Sequence, residues 1–288
     1  MEKNFYGLTN PQKSIWNMEN FFEGTTINNI CASIVIPKKL NINALKTSAH
    51  NVIRKNDCYR TRIIIKNNIP VQYYSDFQPF EIEVINVKNN EQFEKIKEES
   101  INYKFNIIDS NLFLFKIIIF PDEHSIFLCT FHHIIADSWS LGLFAQAIMY
   151  EYKFLINKET IAEENINSYI AFIESEKNYL QSNKYEKDKN YWVETFKDIP
   201  EVVTFSGSKK NLKINDYSSR RESFRLDFNV AKNIQEYCNI NKISVFNFFM
   251  SIYSIYLSKT TGLDNFVVRN SYLKSYKFQR KTYNGNVC

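Results

Sequence analysis

The stretch Phe131-His132-His133-Ile134-Ile135-Ala136-Asp137-Ser138-Trp139-Ser140 gathers the residues best suited to chemistry. It sits where a strand-like apolar run gives way to a helical pattern. Side chains on a strand alternate faces, so an extended His132 and His133 point in opposite directions. One then braces the core and the other can reach a cavity. An imidazole at such a junction suits a general base, or a group that orients a nucleophilic amine, and proton transfer of that kind contributes roughly 100- to 10,000-fold. The same pair could instead satisfy buried hydrogen bonds. A zinc site built from both histidines and Asp137 is disfavoured, because neighbours that face apart cannot share one ion. Asp137 stands just before the helix, and Ser138 can cap its first free N–H groups.

The elements around this segment follow from spacing. Thr9 and Pro11 start a helix whose apolar positions are Ile15, Met18, Phe21 and Phe22, with Gly24 ending it. Ile30 to Ile36 is a β-rich run stopped by Pro37. Asn43 can cap a second helix with Leu45, Ala49, Val52 and Ile53 on one face. Residues 58–65 and 71–74 read as strands joined at Asn67-Asn68, and 82–87 as another. Residues 93–103 are helical. Residues 112–120 and 125–132 form a hairpin turning at Pro121-Asp122-Glu123. A helix over 139–155 buries Leu141, Phe144, Ala145, Ile148, Met149 and Tyr152. Helices over 166–181 and 185–197, a strand over 220–226, helices over 230–239 and 245–258, and a strand start at 266–268 complete the order. The mixture fits an α/β sandwich-type lobe followed by a second lobe.

Composition narrows the class. With 288 residues, 44% of them hydrophobic, the chain can bury a large core. A net charge of +5 with interleaved signs gives no basic stripe of the kind that binds nucleic acid. The five cysteines lack zinc or redox spacing, which points to reduced core residues in a cytoplasmic protein. The N-terminus carries no signal-peptide core, and the apolar runs are too short to span a bilayer.

His132-His133-x-x-x-Asp137 resembles the HHxxxDG motif of nonribosomal peptide synthetase condensation domains, members of the chloramphenicol-acetyltransferase-like fold. Ser138 stands where that family usually has Gly. Leu8-Thr9-Asn10-Pro11-Gln12-Lys13-Ser14-Ile15-Trp16 is similar to the family's opening helix motif. Lys55-Asn56-Asp57-Cys58-Tyr59-Arg60-Thr61 is similar to its RHExLRT segment, with Lys55 in place of the first Arg. Tyr191-Trp192 falls where the family has a Tyr-Trp pair. The resemblance runs from about Tyr6 to Val268 and implies an α/β fold: a chloramphenicol-acetyltransferase-like N-terminal lobe over 1–175 and a partial C-terminal lobe over 176–268. It implies amide formation, in which an acceptor aminoacyl amine attacks a donor thioester. Both groups ride on phosphopantetheine arms of carrier proteins in a channel between the lobes, beside adjacent synthetase domains. His133 is then the catalytic histidine and His132 its support. Asp137 is a structural aspartate paired with an arginine, here Arg60 or Lys55. Trp16 and Trp192 are packing residues. No directly bound cofactor or metal, nucleic acid or membrane is expected. The alternatives are a fragment that at most docks a carrier protein, or a related epimerisation or acyltransferase domain.

After Val268 the resemblance stops. The family's GTPxxNR strand should follow, but Arg269 to Lys281 show neither apolar alternation nor likeness. With one choice of codons for those residues, dropping the first base gives GTPILNRINFKE. Residues 269–288 are therefore expected to be an out-of-frame tail on a truncated domain with little or no activity alone. Phe246, Phe248, Phe249, Ile252 and Tyr256 are expected to lack part of their covering layer.

Overall fold

The computed structural model describes residues 4–37, 39–159, 168–200, 222–263 and 265–268. The tail beyond Val268 lies outside the described residues. The chain divides after Ser182 into two compact units, and the histidine pair belongs to the first.

The first unit holds two sheets. In the larger, the order is β2 (Asn29–Ile36), β7 (Ser125–His132), β6 (Phe113–Ile119) and β5 (Glu83–Asn86). Its pairs are antiparallel except β5 with β6. The smaller sheet orders β1 (Tyr6–Gly7), β4 (Ile69–Tyr74) and β3 (Thr61–Lys66). Asn67 and Asn68, both in the left-handed region, make the β3–β4 turn, a conformation that asparagine tolerates better than most residues.

Every residue of β7 is buried, which explains its near-continuous apolar sequence. Phe127, Cys129 and Phe131 join the core beneath α2 (Ile42–Lys55) and α4 (Ser138–Asn157), whereas Ile126 and Leu128 join a second cluster with Phe93 and Ile96 of α3 (Asn90–Ile101). Phe144, Ile148 and Tyr152 form the buried stripe of α4 at helical spacing. Glu151 is buried beside them, a position that an apolar pattern cannot reveal.

Several elements depart from expectation. Residues 58–60 form a 3-10 turn rather than the start of a strand. Asn41, not Asn43, caps α2 by accepting from the Ala44 N–H. α1 (Asn10–Phe21) turns a different face inward: Phe21 is 80% exposed while Gln12 is 3% exposed. The inner face runs Gln12, Ile15, Trp16, Glu19, because the two polar residues meet buried polar groups. The second unit contains α6 (Asn183–Thr195), α7 (Phe228–Ile240) and α8 (Val245–Thr261). Residues 222–226 and 266–268 are not strands. Phe246, Phe249, Ile252 and Tyr256 are exposed and Phe248 is half-buried. Trp192, expected to pack inside, is exposed and stacks on Phe196, just past the end of α6.

Gln12 and Gln72 tie α1 and the smaller sheet to the histidine segment. Their side-chain amides bond reciprocally at 2.8 Å in each direction. Gln72 also donates to the Gly7 carbonyl at 2.9 Å, and Gln12 to the Ile134 carbonyl at 3.4 Å. The Gln12 oxygen accepts from the Thr9 N–H at 2.9 Å. Removing one partner strands the other in a site without water. Gln72→Ala should therefore destabilise the chain by about 1–3 kcal/mol in urea denaturation. A loss of about 0.5 kcal/mol or less, typical of surface changes, would show that the pair contributes little.

Candidate functional site

β7 ends at His132, and the next residues make a tight turn. The Ile135 N–H donates to the His132 carbonyl at 3.1 Å, closing the turn over His132-His133-Ile134-Ile135. His133 is thus the first of its two central residues. Leaving the strand at this point is what separates the two rings. His132 still follows the pleat and is 2% exposed, whereas His133 is half-buried.

His132 is satisfied at both nitrogens. Its Nδ1 accepts from the Ile134 N–H at 3.3 Å. A backbone N–H is always a donor, so Nδ1 carries no proton and the neutral ring is protonated at Nε2. That nitrogen then donates to the Glu19 carboxylate at 3.3 Å. The ring of Phe105 stands edge-on to the imidazole at 6.2 Å. Burial pushes the His132 pKa below its ordinary value. The Glu19 carboxylate opposes that shift and His133 adds to it.

His133 is held through its backbone. Its N–H donates to the Asn28 carbonyl at 2.7 Å. Asn28 is itself buried, and its amide donates to Glu19 at 2.6 Å. The Nδ1 of His133 is buried with no hydrogen-bond partner among the described residues. Such an orphaned polar atom is uncommon in folded proteins and calls for an explanation.

Asp137 takes the capping role expected of Ser138. Asp137 is the N-cap of α4: its carboxylate accepts from the Ser140 N–H at 2.8 Å, and Ser140 Oγ accepts from the Asp137 N–H at 2.6 Å. This reciprocal box leaves Ser138 as the first helical residue, exposed. A carboxylate is also favoured at the positive end of a helix.

The expected ion pair of Asp137 with Arg60 or Lys55 is replaced. Arg60 donates to the carbonyls of Ile53 and Ser75. Burial lowers its pKa, while Asp57 and Asp76 raise it. Lys55 pairs with the buried Glu151, which also accepts from Asn51 at 3.1 Å. The substitution at position 55 thus has a physical partner: a point charge satisfies a single carboxylate on α4. Asp57 accepts from Ser168 Oγ at 2.5 Å and from the Tyr169 N–H at 2.9 Å. It anchors the start of α5 (Tyr169–Leu180). Tyr59, buried above the site, donates to the Ser140 carbonyl at 3.4 Å. Burial, then the nearby Asp137 charge, drives its pKa strongly upward.

Sequence reasoning did not single out Glu19, Asn28 or Gln72. Glu19 left a trace: it lies three residues after Trp16 and four after Ile15, a charge on the inner face of a helix. Among the described residues no group of three or more His, Cys, Asp or Glu could hold a metal ion. None of their helices is long and apolar enough to cross a membrane.

Comparison with known proteins places this arrangement. The family model described as Condensation domain matches residues 2–272. Surfactin synthase subunit 1 of Bacillus subtilis (strain 168) is 30% identical over 276 residues, which are 93% of this chain and 8% of that protein. Bacitracin synthase 2 of Bacillus licheniformis is 22% identical over 268 residues, 93% of this chain and 10% of that protein. The first condensation domain of the calcium-dependent antibiotic synthetase, solved in complex with a substrate analogue, matches with a TM-score of 0.76 at 16% identity. It covers 90% of this chain and 62% of that one. The condensation domain of the Monacolin K polyketide synthase MokA gives 0.75 at 16% identity, covering 90% and 60%. The chain thus spans about a tenth of those synthetases and about three fifths of those solved chains. The fold is that of these chains, the chloramphenicol-acetyltransferase-like α/β fold.

The buried neutral His132 makes stability depend on pH. Its folded pKa lies below the ordinary value of about 6.5, so the unfolded chain binds a proton that the folded chain resists. This contribution is fully present above about pH 6.5 and declines as pH falls from there through the folded pKa. Urea midpoints measured between about pH 7.5 and 5 should fall with pH, and less steeply in His132→Gln. Equal slopes would exclude His132 as the source.

Proposed function

This chain belongs to the condensation-domain family, and we propose that it carries the histidine turn of a nonribosomal peptide synthetase domain that joins two carrier-bound groups through an amide bond. The observation that supports this most directly is the state of His133. Its backbone is pinned at a turn, and one ring nitrogen is buried without a partner among the described residues.

In the proposed reaction the acceptor amine attacks the carbonyl carbon of the donor thioester. A C–N bond forms, the C–S bond breaks, and the amine loses a proton. The departing thiolate needs a proton in turn, so one imidazole that takes the first and returns it balances the step. His133 is assigned this role, or that of orienting the amine. Most of the acceleration would come from holding two tethered reactants together, which removes much of the entropy loss of a bimolecular encounter. His132 supports the turn and remains neutral near pH 7, so it adds no second positive charge beside the reacting amine.

The substrates are expected on phosphopantetheine arms of carrier proteins, with neighbouring synthetase domains as partners. The first lobe is taken to hold the histidine turn, and the helices beyond residue 176 to begin the second. A cytoplasmic location belongs to the same reading.

The test joins this chain to the C-terminal portion of a solved relative and supplies carrier proteins loaded with donor and acceptor. Dipeptidyl product should form, and His133→Ala should lower its rate by at least about 100-fold. Product formation undiminished by His133→Ala would overturn the assignment. His132→Ala should instead reduce the amount of folded protein.

A further inference from the structure

Glu19 takes no part in the proton transfer assigned above, yet it bonds both to His132 and to the residue that holds the His133 backbone. It projects from α1, an element distant in sequence from the turn. Its Oε2 receives the Asn28 amide at 2.6 Å and His132 Nε2 at 3.3 Å. Asn28 passes the constraint on, because its carbonyl receives the His133 N–H at 2.7 Å. Asn28 and His132 are 4% and 2% exposed, so water offers neither a substitute partner.

We propose that Glu19 is the positioning residue of the site, fixing the tautomer of His132 directly and the backbone of His133 through Asn28. This rests on the reading of His133 as the acting histidine. The argument is one of hydrogen-bond valence. A neutral imidazole has one donor and one acceptor. The Ile134 N–H takes the acceptor of His132, so the donor must find an acceptor at Nε2, and Glu19 supplies it. Without that acceptor the ring has reason to flip or change tautomer, which would release the Ile134 N–H from inside the turn. Asn28 faces the same choice, since a buried amide that loses its acceptor seeks another and moves its own carbonyl. Both changes converge on the residue between them in the turn, His133. Its ring has no Nδ1 partner among the described residues to hold it, so its direction is set by its backbone and its packing.

The charged and titratable groups that act on His132 are Glu19 from α1 and His133 from the turn. Losing the Glu19 charge should therefore move the His132 titration further down, not up. Glu19→Gln removes the charge but keeps one acceptor oxygen, enough for the Oε2 position that both donors share, whereas Glu19→Ala removes that oxygen as well.

Nuclear magnetic resonance of the full chain labelled with nitrogen-15 in its four histidines reads this directly. In the unsubstituted protein His132 should show the Nε2–H tautomer and a low titration midpoint. In Glu19→Gln the midpoint should fall further, and in Glu19→Ala the ring signals of His133 should shift. Asn28→Ala retains the backbone carbonyl but loses the grip of Glu19. It should shift His133 while leaving the tautomer of His132 unchanged. Glu19→Asp, which keeps the charge but withdraws it by one methylene, should fall between the two. An unchanged His132 midpoint in a folded Glu19→Gln protein, or His133 signals unchanged in folded Glu19→Ala or Asn28→Ala, would overturn the proposal. The condensation reading fails separately, through the effect of His133→Ala on dipeptidyl product, and neither result decides the other.

Discussion

A fully buried strand that ends in polar residues imposes the constraint on which the first unit depends. β7 has water on neither face, so polar groups at its exit must find partners within the protein. An unpaired buried donor or acceptor costs about 1–3 kcal/mol, and several meet within a few residues of His132. Their partners come from well-separated parts of the chain. Glu19 and Gln12 come from α1, Asn28 from the entry to β2, and the Leu112 carbonyl from the approach to β6, accepting from the His132 N–H at 2.9 Å. α1 must therefore lie against the turn, and β2 must run antiparallel to β7 up to that point.

Charges near the site are arranged by the same rule. Asp137 has no need of an arginine because the first turn of α4 already presents N–H donors and the positive end of the helix dipole. Arg60 is thereby free to bind carbonyl oxygens. One of these belongs to Ile53 in the last turn of α2, where a cation suits the negative end. Glu151 is too buried to remain unpaired, and Lys55 reaches it from the neighbouring helix. Each charge has a partner in this scheme, although the aspartate and the two basic residues are not matched as their family likeness implied.

The parts that were legible in the sequence are those written in periodicity and in residue type. The hairpin of β6 and β7, the long α4 and the histidine segment at their junction follow from apolar alternation, then helical spacing, then a polar cluster. The inner face of α1 was not legible in that way. Hydropathy favours Phe21 and Met18, whereas the protein turns Gln12 and Glu19 inward, because what lies beneath is polar. No local pattern announces that Gln12 will meet Gln72 sixty residues later. The choice of Asp137 over Ser138 as cap was open for a similar reason. Both are good caps, and only the reciprocal bond with Ser140 decides between them.

The two histidines show how little sequence distance is needed to separate a fully bonded ring from one left without a partner at Nδ1 among the described residues. His132 and His133 are the same residue in adjacent positions, but the chain changes from strand to turn between them. The first inherits the pleat of β7 and two partners, and burial drives it toward the neutral form. The second inherits only a backbone bond and a half-buried ring. A pair divided in this way spends the hydrogen bonds of one ring on rigidity and leaves the Nδ1 of the other without a partner among the described residues.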